Sequence, residues 1–327
     1  MFRRNIFSIV ALAAVITSPA TLPPEFNGRS GASLRSAVAR YAEPSRYLDP
    51  AEAFVDITGG TDRHTFFDPF SAARATLDDS WTFTGVIPVE YWSLSDIYGN
   101  ASRDLVNHIP ISAEVTANRR DLVPGVVEQP EFDNGVWRAG RSTVSGIPTE
   151  FYEPPAEYRG DFARIIFYMS TLYPTDSWTQ RAYMLMDGTD YPVLNRYGRQ
   201  TLMKYHREDP VSDEELSRSA AIAALQGKGN PFVEYPELAE YLWGDKVDEV
   251  VDIPDVPVPL KGTYSLSDEK IYLQSPYVPD DATWSIDDKA TNAEWLPISS
   301  LGEGKHKLRY YSPSTHAQGI LTILITR

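Results

Sequence analysis

The chain has 327 residues, of which 42% are apolar and 23% are charged, and its formal net charge at pH 7 is −15. These proportions are those of an ordinary globular protein, and the length is enough for two domains. The absence of cysteine excludes disulfides, thiolate metal ligands and cysteine nucleophiles. The acidic balance is an unfavourable sign for the binding of polyphosphates, which depends on clustered Lys and Arg side chains. The C-terminal part is the more acidic, which leaves a basic groove in the rest of the chain open.

Residues 1–20 have the pattern of a secretory signal peptide. Arg3 and Arg4 precede an apolar run over residues 6–16, and Ser18-Pro-Ala20 supplies the small residues of a cleavage end. The apolar run has about half the length that a membrane-spanning helix requires. We therefore expect an exported protein, periplasmic, cell-surface or extracellular, with no membrane span.

Residues 21–245 are predicted to form one domain of helices and short strands. Apolar side chains at helical spacing predict helices over residues 34–41, 194–205, 212–227 and 236–243. Ser212 and Glu215 have the spacing of a capping box for the third of these helices. The residue types of 81–92 and 104–109 predict two strands, and 112–120 predict a short helix after them. Asn134-Gly135 predicts a hairpin turn.

The most apolar stretch of the body is predicted to be its central helix. Residues 159–173 read Arg-Gly-Asp-Phe-Ala-Arg-Ile-Ile-Phe-Tyr-Met-Ser-Thr-Leu-Tyr, and their apolar positions cover nearly the whole circumference of a helix. A helix that is apolar all round is buried inside a domain or a membrane, and this one is too short and too charged to span a bilayer. We expect the rest of the body to pack around it.

The C-terminal part of the chain changes character. Residues 246–261 are rich in proline and acidic side chains and have little helical periodicity, which predicts an extended linker. From residue 262 to 327, short β-type runs alternate with turns. This pattern predicts a small immunoglobulin-like sandwich or a related all-β domain.

Several segments of the body resemble the endonuclease I family of secreted nucleases. They are Asp104-Leu-Val-Asn-His-Ile-Pro, Arg159-Gly-Asp-Phe-Ala-Arg-Ile-Ile-Phe-Tyr-Met, His206-Arg-Glu-Asp-Pro-Val and Gln226-Gly-Lys-Gly-Asn-Pro-Phe. The resemblance implies an α+β fold in which a mostly helical nuclease body contains a ββα-metal core. It also implies Mg²⁺-dependent hydrolysis of phosphodiester bonds in DNA or RNA.

The same resemblance implies where the active site lies. The family uses a glutamate–histidine pair, in which the glutamate binds the metal and the histidine activates water, and an asparagine on the next helix as second ligand. The corresponding positions hold Glu90, Tyr91 and Thr116. Arg119 falls where the family has a phosphate-contacting cation. Gln226 and Asn230 match positions near the water shell of the metal, although capping a tight turn is the commoner role of such residues.

The substitutions at this site leave more than one function open. A tyrosine, with a pKa near 10, is a poor base at neutral pH, and a threonine hydroxyl is a weaker metal ligand than an amide oxygen. His108 is a candidate replacement base, although the pattern does not fix which face of its strand it occupies. The chain is therefore either an active metal-dependent endonuclease or a catalytically inactive nuclease fold that binds nucleic acid or acts in cell-surface interactions. A structural surface protein dominated by its β tail is a third hypothesis.

Overall fold

The computed structural model describes residues 22–57, 65–71, 73–76, 81–94, 99–144, 146, 148–173, 175–252, 262–273, 278–279, 281–313 and 318–327. The predicted signal peptide lies outside the described residues, as do residues 253–261 of the predicted linker. The chain divides near residue 253 into two compact units. Among the described helices, none is long and apolar enough to cross a membrane.

The first unit combines α-helices with short antiparallel sheets, which confirms the predicted α+β class. Its helices are α1 Gly31–Ala42, α2 Pro50–Ile57, α3 Ala113–Arg119, α4 Arg159–Leu172, α5 Arg196–Glu208, α6 Asp213–Gln226, α7 Pro231–Glu234 and α8 Leu238–Trp243. Its strands are β1 Thr65–Asp68, β2 Ala73–Thr76, β3 Thr82–Gly85, β4 His108–Ile111, β5 Gln129–Asp133, β6 Arg138–Ser142 and β7 Thr149–Glu153. Strand β1 pairs with β2, β3 with β4, and β5, β6 and β7 form a three-stranded sheet.

Helix α4 is the buried centre of this unit, as its sequence predicts. Phe162 is 2% exposed, and Ile166, Phe167 and Met169 are fully buried. The Phe167 ring stacks on the Trp243 ring of α8, with their centroids 4.7 Å apart. Helix α4 also packs closely against α1 and α5, so neighbours on several sides remove its apolar surface from water.

The predicted order of strand, strand and helix is present, but both strands are shorter than predicted. Strand β3 ends at Gly85, and residues Val89–Tyr91 form a 3₁₀ turn after Pro88. Residues Leu105–Asn107 form a second 3₁₀ turn, capped by the Asp104 side chain, so β4 begins only at His108. The prediction of strands over residues 81–92 and 104–109 was therefore wrong in extent. Helix α3 follows β4, with the Ser112 hydroxyl accepting a hydrogen bond from Val115 N.

Two local predictions have different outcomes. The Asn134-Gly135 turn joins β5 to β6, and Gly135 has a φ of +81°, which favours glycine. At the start of α6 the Ser212 hydroxyl accepts a hydrogen bond from Glu215 N at 3.1 Å. The Glu215 carboxylate instead binds Arg164 at 2.7 and 2.6 Å. The predicted capping box is thus only half formed, because the buried guanidinium takes the carboxylate.

The described part of the predicted linker, residues 246–252, is tied to the first unit. Val251 is fully buried, and its backbone exchanges hydrogen bonds with Arg29 O and Gly28 N at 2.8 and 2.9 Å. The proposed linker over residues 246–261 stays a prediction, since residues 253–261 lie outside the described chain.

The described part of the second unit is all-β, as predicted. Its strands are β8 Thr263–Ser265, β9 Lys270–Tyr272, β10 Thr283–Ile286, β11 Lys289–Thr291, β12 Trp295–Pro297, β13 Gly304–Tyr311 and β14 Gln318–Thr326. Five of them form a sheet in the order β11-β10-β13-β14-β8, and β9 pairs with β12. The core between these elements includes Ile271, Ile298, Leu308 and Ile323, all fully buried.

Candidate functional site

Glu90 and Tyr91 lie in the 3₁₀ turn after β3, and their side chains have opposite environments. Glu90 is exposed, whereas Tyr91 is 2% exposed. The turn is fixed by Thr179, whose hydroxyl donates to Glu90 O at 3.0 Å and whose backbone N–H donates to Tyr91 O at 2.8 Å. The structure therefore presents the glutamate to solvent and holds the neighbouring side chain inside.

The Tyr91 hydroxyl occupies an interior position. It lies 3.3 Å from Met184 Sδ, and the Arg181 guanidinium lies 5.7 Å from the ring centroid. Burial raises the pKa of Tyr91 to about 12, although Arg181 and Arg119 act in the opposite direction. The phenol is therefore neutral at physiological pH and has no electron pair basic enough to activate water.

Arg119 is buried rather than placed at a phosphate-binding surface. Its side chain has no exposed area, and Nη2 donates hydrogen bonds to Gly85 O at 2.7 Å and Val86 O at 2.9 Å. The guanidinium also lies 4.9 Å from the centroid of the Tyr152 ring. These contacts join the end of α3 to the end of β3. The phosphate contact that the resemblance implies has no geometric support, because a phosphate cannot reach a fully buried guanidinium.

The donor set does not fit the family's Mg²⁺ site. Thr116 is exposed, but its hydroxyl donates to Ser112 O at 2.9 Å within α3. A threonine hydroxyl is a weaker ligand for a hard cation than an amide oxygen, and Glu90 is the one charged ligand that the motif retains. In the part of the chain that the structure describes, no three His, Cys, Asp or Glu side chains form a group suited to a metal ion.

The hydrogen bond of the His108 ring fixes which of its nitrogens carries the proton. It is the first residue of β4, opposite Gly85 of β3, and is half-buried. Its Nδ1 lies 2.9 Å from Asp104 O, which as an acceptor requires Nδ1 to carry the proton and leaves Nε2 as the acceptor nitrogen. Burial lowers the pKa of His108, and nearby Arg218 lowers it further, so the ring is neutral at pH 7. These are the protonation state and tautomer of a general base.

Gln226 and Asn230 are both buried and tie turns together, the commoner role for such residues. Gln226 Oε1 accepts from Leu105 N at 3.1 Å, and its Nε2 donates to Asp104 Oδ1 at 3.1 Å. Asn230 Oδ1 caps α7 by accepting from Phe232 N at 3.0 Å. Neither side chain has the exposure needed to order water around a surface metal ion.

Asp104 is a buried carboxylate whose role sequence reasoning missed. Oδ2 accepts hydrogen bonds from Tyr168 at 2.9 Å and Tyr173 at 2.8 Å, and Oδ1 accepts from Val106 N at 3.1 Å. Burial raises the pKa of Asp104, while these hydrogen bonds act in the opposite direction. The carboxyl anchors the turn before β4 to the buried helix α4. The available signal was the presence of Tyr168 within the buried stretch of α4 and of Tyr173 just after it, because a buried hydroxyl needs an acceptor.

A second buried charge cluster is centred on Arg164 of α4. Its side chain is fully buried, and its guanidinium binds both oxygens of Glu215. It also donates to Asp161 Oδ1 and Asp209 O, each at 2.9 Å, and lies 3.4 Å from His206 Nδ1. Arg164 thus forms ion pairs with Asp161 of its own helix and with Glu215 of α6.

His206 should make the stability of the first unit depend on pH. Burial lowers the pKa of this histidine from 6.5 to about 4, and the Arg164 guanidinium adds to that effect. Below pH 6.5 the unfolded chain takes up a proton at this residue and the folded chain does not. The free energy of unfolding should therefore fall by up to about 3 kcal/mol as the pH falls through this interval.

Urea denaturation across that pH range, followed by tryptophan fluorescence, tests this expectation with His206→Gln as the comparison. Glutamine can accept from Arg164 but does not titrate, so the stability of the variant should fall less steeply below pH 6.5. Measurements above that pH, where both side chains are neutral, separate any packing defect. Parallel stability curves for the two proteins would contradict the assignment.

Together, the β3–β4–α3 unit and the largely buried helix α4 define an α+β protein. The sequence model of the Endonuclease I family matches residues 64–237, more than half of the chain. The chain belongs to the endonuclease I family.

Two extracellular ribonucleases are similar in sequence to most of this chain. An extracellular ribonuclease of Bacillus subtilis (strain 168) is 24% identical over 256 residues, covering 73% of this chain and 84% of the relative. An extracellular ribonuclease of Bacillus amyloliquefaciens is 24% identical over 262 residues, covering 71% of this chain and 82% of the relative.

Proposed function

We propose that this chain is an exported endonuclease I family protein that binds DNA or RNA without hydrolysing it at the family's catalytic position. The observation that carries the proposal is the state of Tyr91, which is 2% exposed and directs its hydroxyl to Met184 Sδ. The position that needs a base holds a neutral phenol with a pKa raised, chiefly by burial, to about 12.

Phosphodiester hydrolysis needs a divalent metal, a base to activate water and a cation to stabilise the transition state. Each of the three is altered in this chain. Glu90 keeps the charged ligand position, but Thr116 offers a hydroxyl, a weaker ligand for a hard cation, where the family has an amide oxygen. Tyr91 replaces the base, and Arg119 is buried against the carbonyls of β3. These three differences support the proposal that the chain binds nucleic acid without hydrolysing it at this position.

Two findings support export. Residues 1–20 have the composition of a signal peptide, and the two curated relatives are named extracellular ribonucleases. Their names also support nucleic acid as the ligand. The net charge of −15 means that binding would depend on a local basic surface rather than on the whole molecule.

The wild-type protein should leave plasmid DNA and structured RNA intact in the presence of Mg²⁺, with cleavage no greater than in EDTA. Fluorescence anisotropy with labelled DNA and RNA oligonucleotides in EDTA should show binding that weakens as salt rises. Glu90→Ala should change neither result, and Glu114→Ala on the exposed face of α3 serves as the matched control. Mg²⁺-dependent turnover that Glu90→Ala abolishes would contradict the proposal.

The geometry of His108 favours a second candidate, an active nuclease with a relocated base. The neutral ring, with Nδ1 directed at Asp104 O, keeps Nε2 as an acceptor. In that case wild-type protein would cleave with Mg²⁺, and His108→Ala would remove the activity. The same plasmid and RNA assays therefore distinguish the two candidates.

A further inference from the structure

An exposed pair of aromatic side chains lies on the two-stranded sheet of the second unit. Tyr272 of β9 and Trp295 of β12 are direct cross-strand partners. Tyr272 is 58% exposed and Trp295 is 44% exposed. Large aromatic rings gain more from burial than almost any other side chain, so two adjacent exposed rings mark a surface that contacts something else.

The two rings point outward because side chains alternate between the two faces of the sheet. Ile271 and Leu296, the neighbours of the two aromatic residues along their strands, are also paired across the sheet and are 0% and 8% exposed. Successive side chains on a strand point to opposite faces. The apolar pair therefore packs into the core, and the aromatic pair lies on the opposite, exposed face, where it does not contribute to the core.

Lys270 completes the outward face. It lies two residues before Tyr272, and its ammonium is 5.2 Å from the centroid of the Tyr272 ring and 5.0 Å from that of Trp295. The contact holds both rings through attraction between the cation and the π faces. It also places a hydrogen-bond donor between the rings. Tyr272, Trp295 and Lys270 are called the aromatic platform below.

Local charge indicates which ligand the aromatic platform suits. Single-stranded nucleic acid combines stacked bases with phosphates and requires a basic groove. Here the outward face carries the Lys270 ammonium, whereas Glu269 and Glu294, the exposed neighbours of Lys270 and Trp295 along the chain, alternate to the other face of the strands. Residues 262–327 as a whole contain six Lys and Arg against eight Asp and Glu. A polyphosphate would meet a single ammonium within a domain of net negative charge, whereas an uncharged ligand needs no basic groove.

We propose that the aromatic platform binds neutral polysaccharide. The C–H groups on the face of a pyranose ring carry slight positive charge and pack against the negative π face of an aromatic ring. The hydroxyl groups at the sugar edge then accept hydrogen bonds from the Lys270 ammonium. Two side-by-side rings suit a chain of sugars better than a single monosaccharide. The proposal does not depend on the fate of the nuclease site.

The test uses the full chain in pull-downs with cellulose and chitin and in affinity electrophoresis with soluble starch and arabinoxylan. At least one of these glycans should bind. Tyr272→Ala, Trp295→Ala should weaken that binding by about tenfold or more, the scale of a lost aromatic stacking contact. Trp295→Phe should keep most of it. Leu266→Ala is the matched control, because it removes a side chain that is 42% exposed in the same unit.

Three results would overturn the proposal. They are failure of all four glycans to bind, undiminished binding by the double variant, and tighter binding of an oligothymidylate than of any glycan. The last result would assign the platform to nucleic acid. Since the substituted side chains are exposed, an unchanged melting temperature is expected and confirms that any loss of binding is local.

Discussion

Replacing Tyr91 by histidine and Thr116 by asparagine together should raise Mg²⁺-dependent cleavage of plasmid DNA or RNA about 10²–10⁴-fold above wild type, the typical contribution of a general base. Histidine returns a base that titrates near neutral pH. Arg181, 5.7 Å from the present ring, would favour the neutral form of an imidazole at this position. Asparagine returns the amide oxygen that the family resemblance implies as the second ligand of the metal.

The single variants separate the two contributions. Tyr91→His alone should recover less than the pair, because the metal would still lack its second protein ligand. Tyr91→Phe, Thr116→Asn is the matched control: it restores the ligand without a base and should remain at background. Adding Glu90→Ala to the active pair should abolish the gain. Robust wild-type activity that disappears in His108→Ala would refute the account and assign the base to His108.

Glu215→Ala should lower the free energy of unfolding by about 3–5 kcal/mol, as for other buried ion pairs that lose one partner. The Arg164 guanidinium is fully buried and binds both oxygens of Glu215. Without that carboxylate, the Arg164 guanidinium would still pair with Asp161, which lies 2.9 Å away and is 22% exposed. The cost arises mainly because this partly exposed carboxylate compensates the buried charge incompletely. Urea denaturation measures it directly.

Two comparisons make the interpretation specific. Glu208→Ala removes an exposed partner of Lys204, with the charged atoms 3.8 Å apart, and should cost only about 0–1 kcal/mol. Replacing both members of the buried pair, Arg164→Met with Glu215→Leu, should cost less than Glu215→Ala, because the buried guanidinium is removed together with its carboxylate and the Asp161 carboxylate that loses its partner is 22% exposed. If Glu215→Ala were no more harmful than Glu208→Ala, the cluster would not be a stability element.

Local sequence decided those features whose physics is local. The apolar circumference of residues 159–173 required burial, and α4 is buried. The Asn134-Gly135 pair required a tight turn, and β5 and β6 meet there. The motifs along the body identified the family and the order of strand, strand and helix. Each of these conclusions depends on residues within one element or one turn, so their spacing along the chain carries the information.

The sequence did not predict where the strand next to Glu90 and Tyr91 ends. Residues 81–92 have β-type composition throughout, yet β3 ends at Gly85 and the chain turns after Pro88. Thr179, almost ninety residues further on, fixes that turn through Glu90 O and Tyr91 O. Propensity is a weak guide where a distant segment supplies the hydrogen bonds.

Only the tertiary structure decided what the polar residues of the motifs do. Arg119 could be read as a phosphate ligand from its position in the motif, but packing places it under Tyr152 and against the carbonyls of β3. Arg164 meets Glu215 from 51 residues away, and Asp104 meets Tyr168 from 64 residues away. A buried charge must be matched by whichever group the fold brings to it. That group lies in another element, so the spacing of residues within a motif does not reveal it.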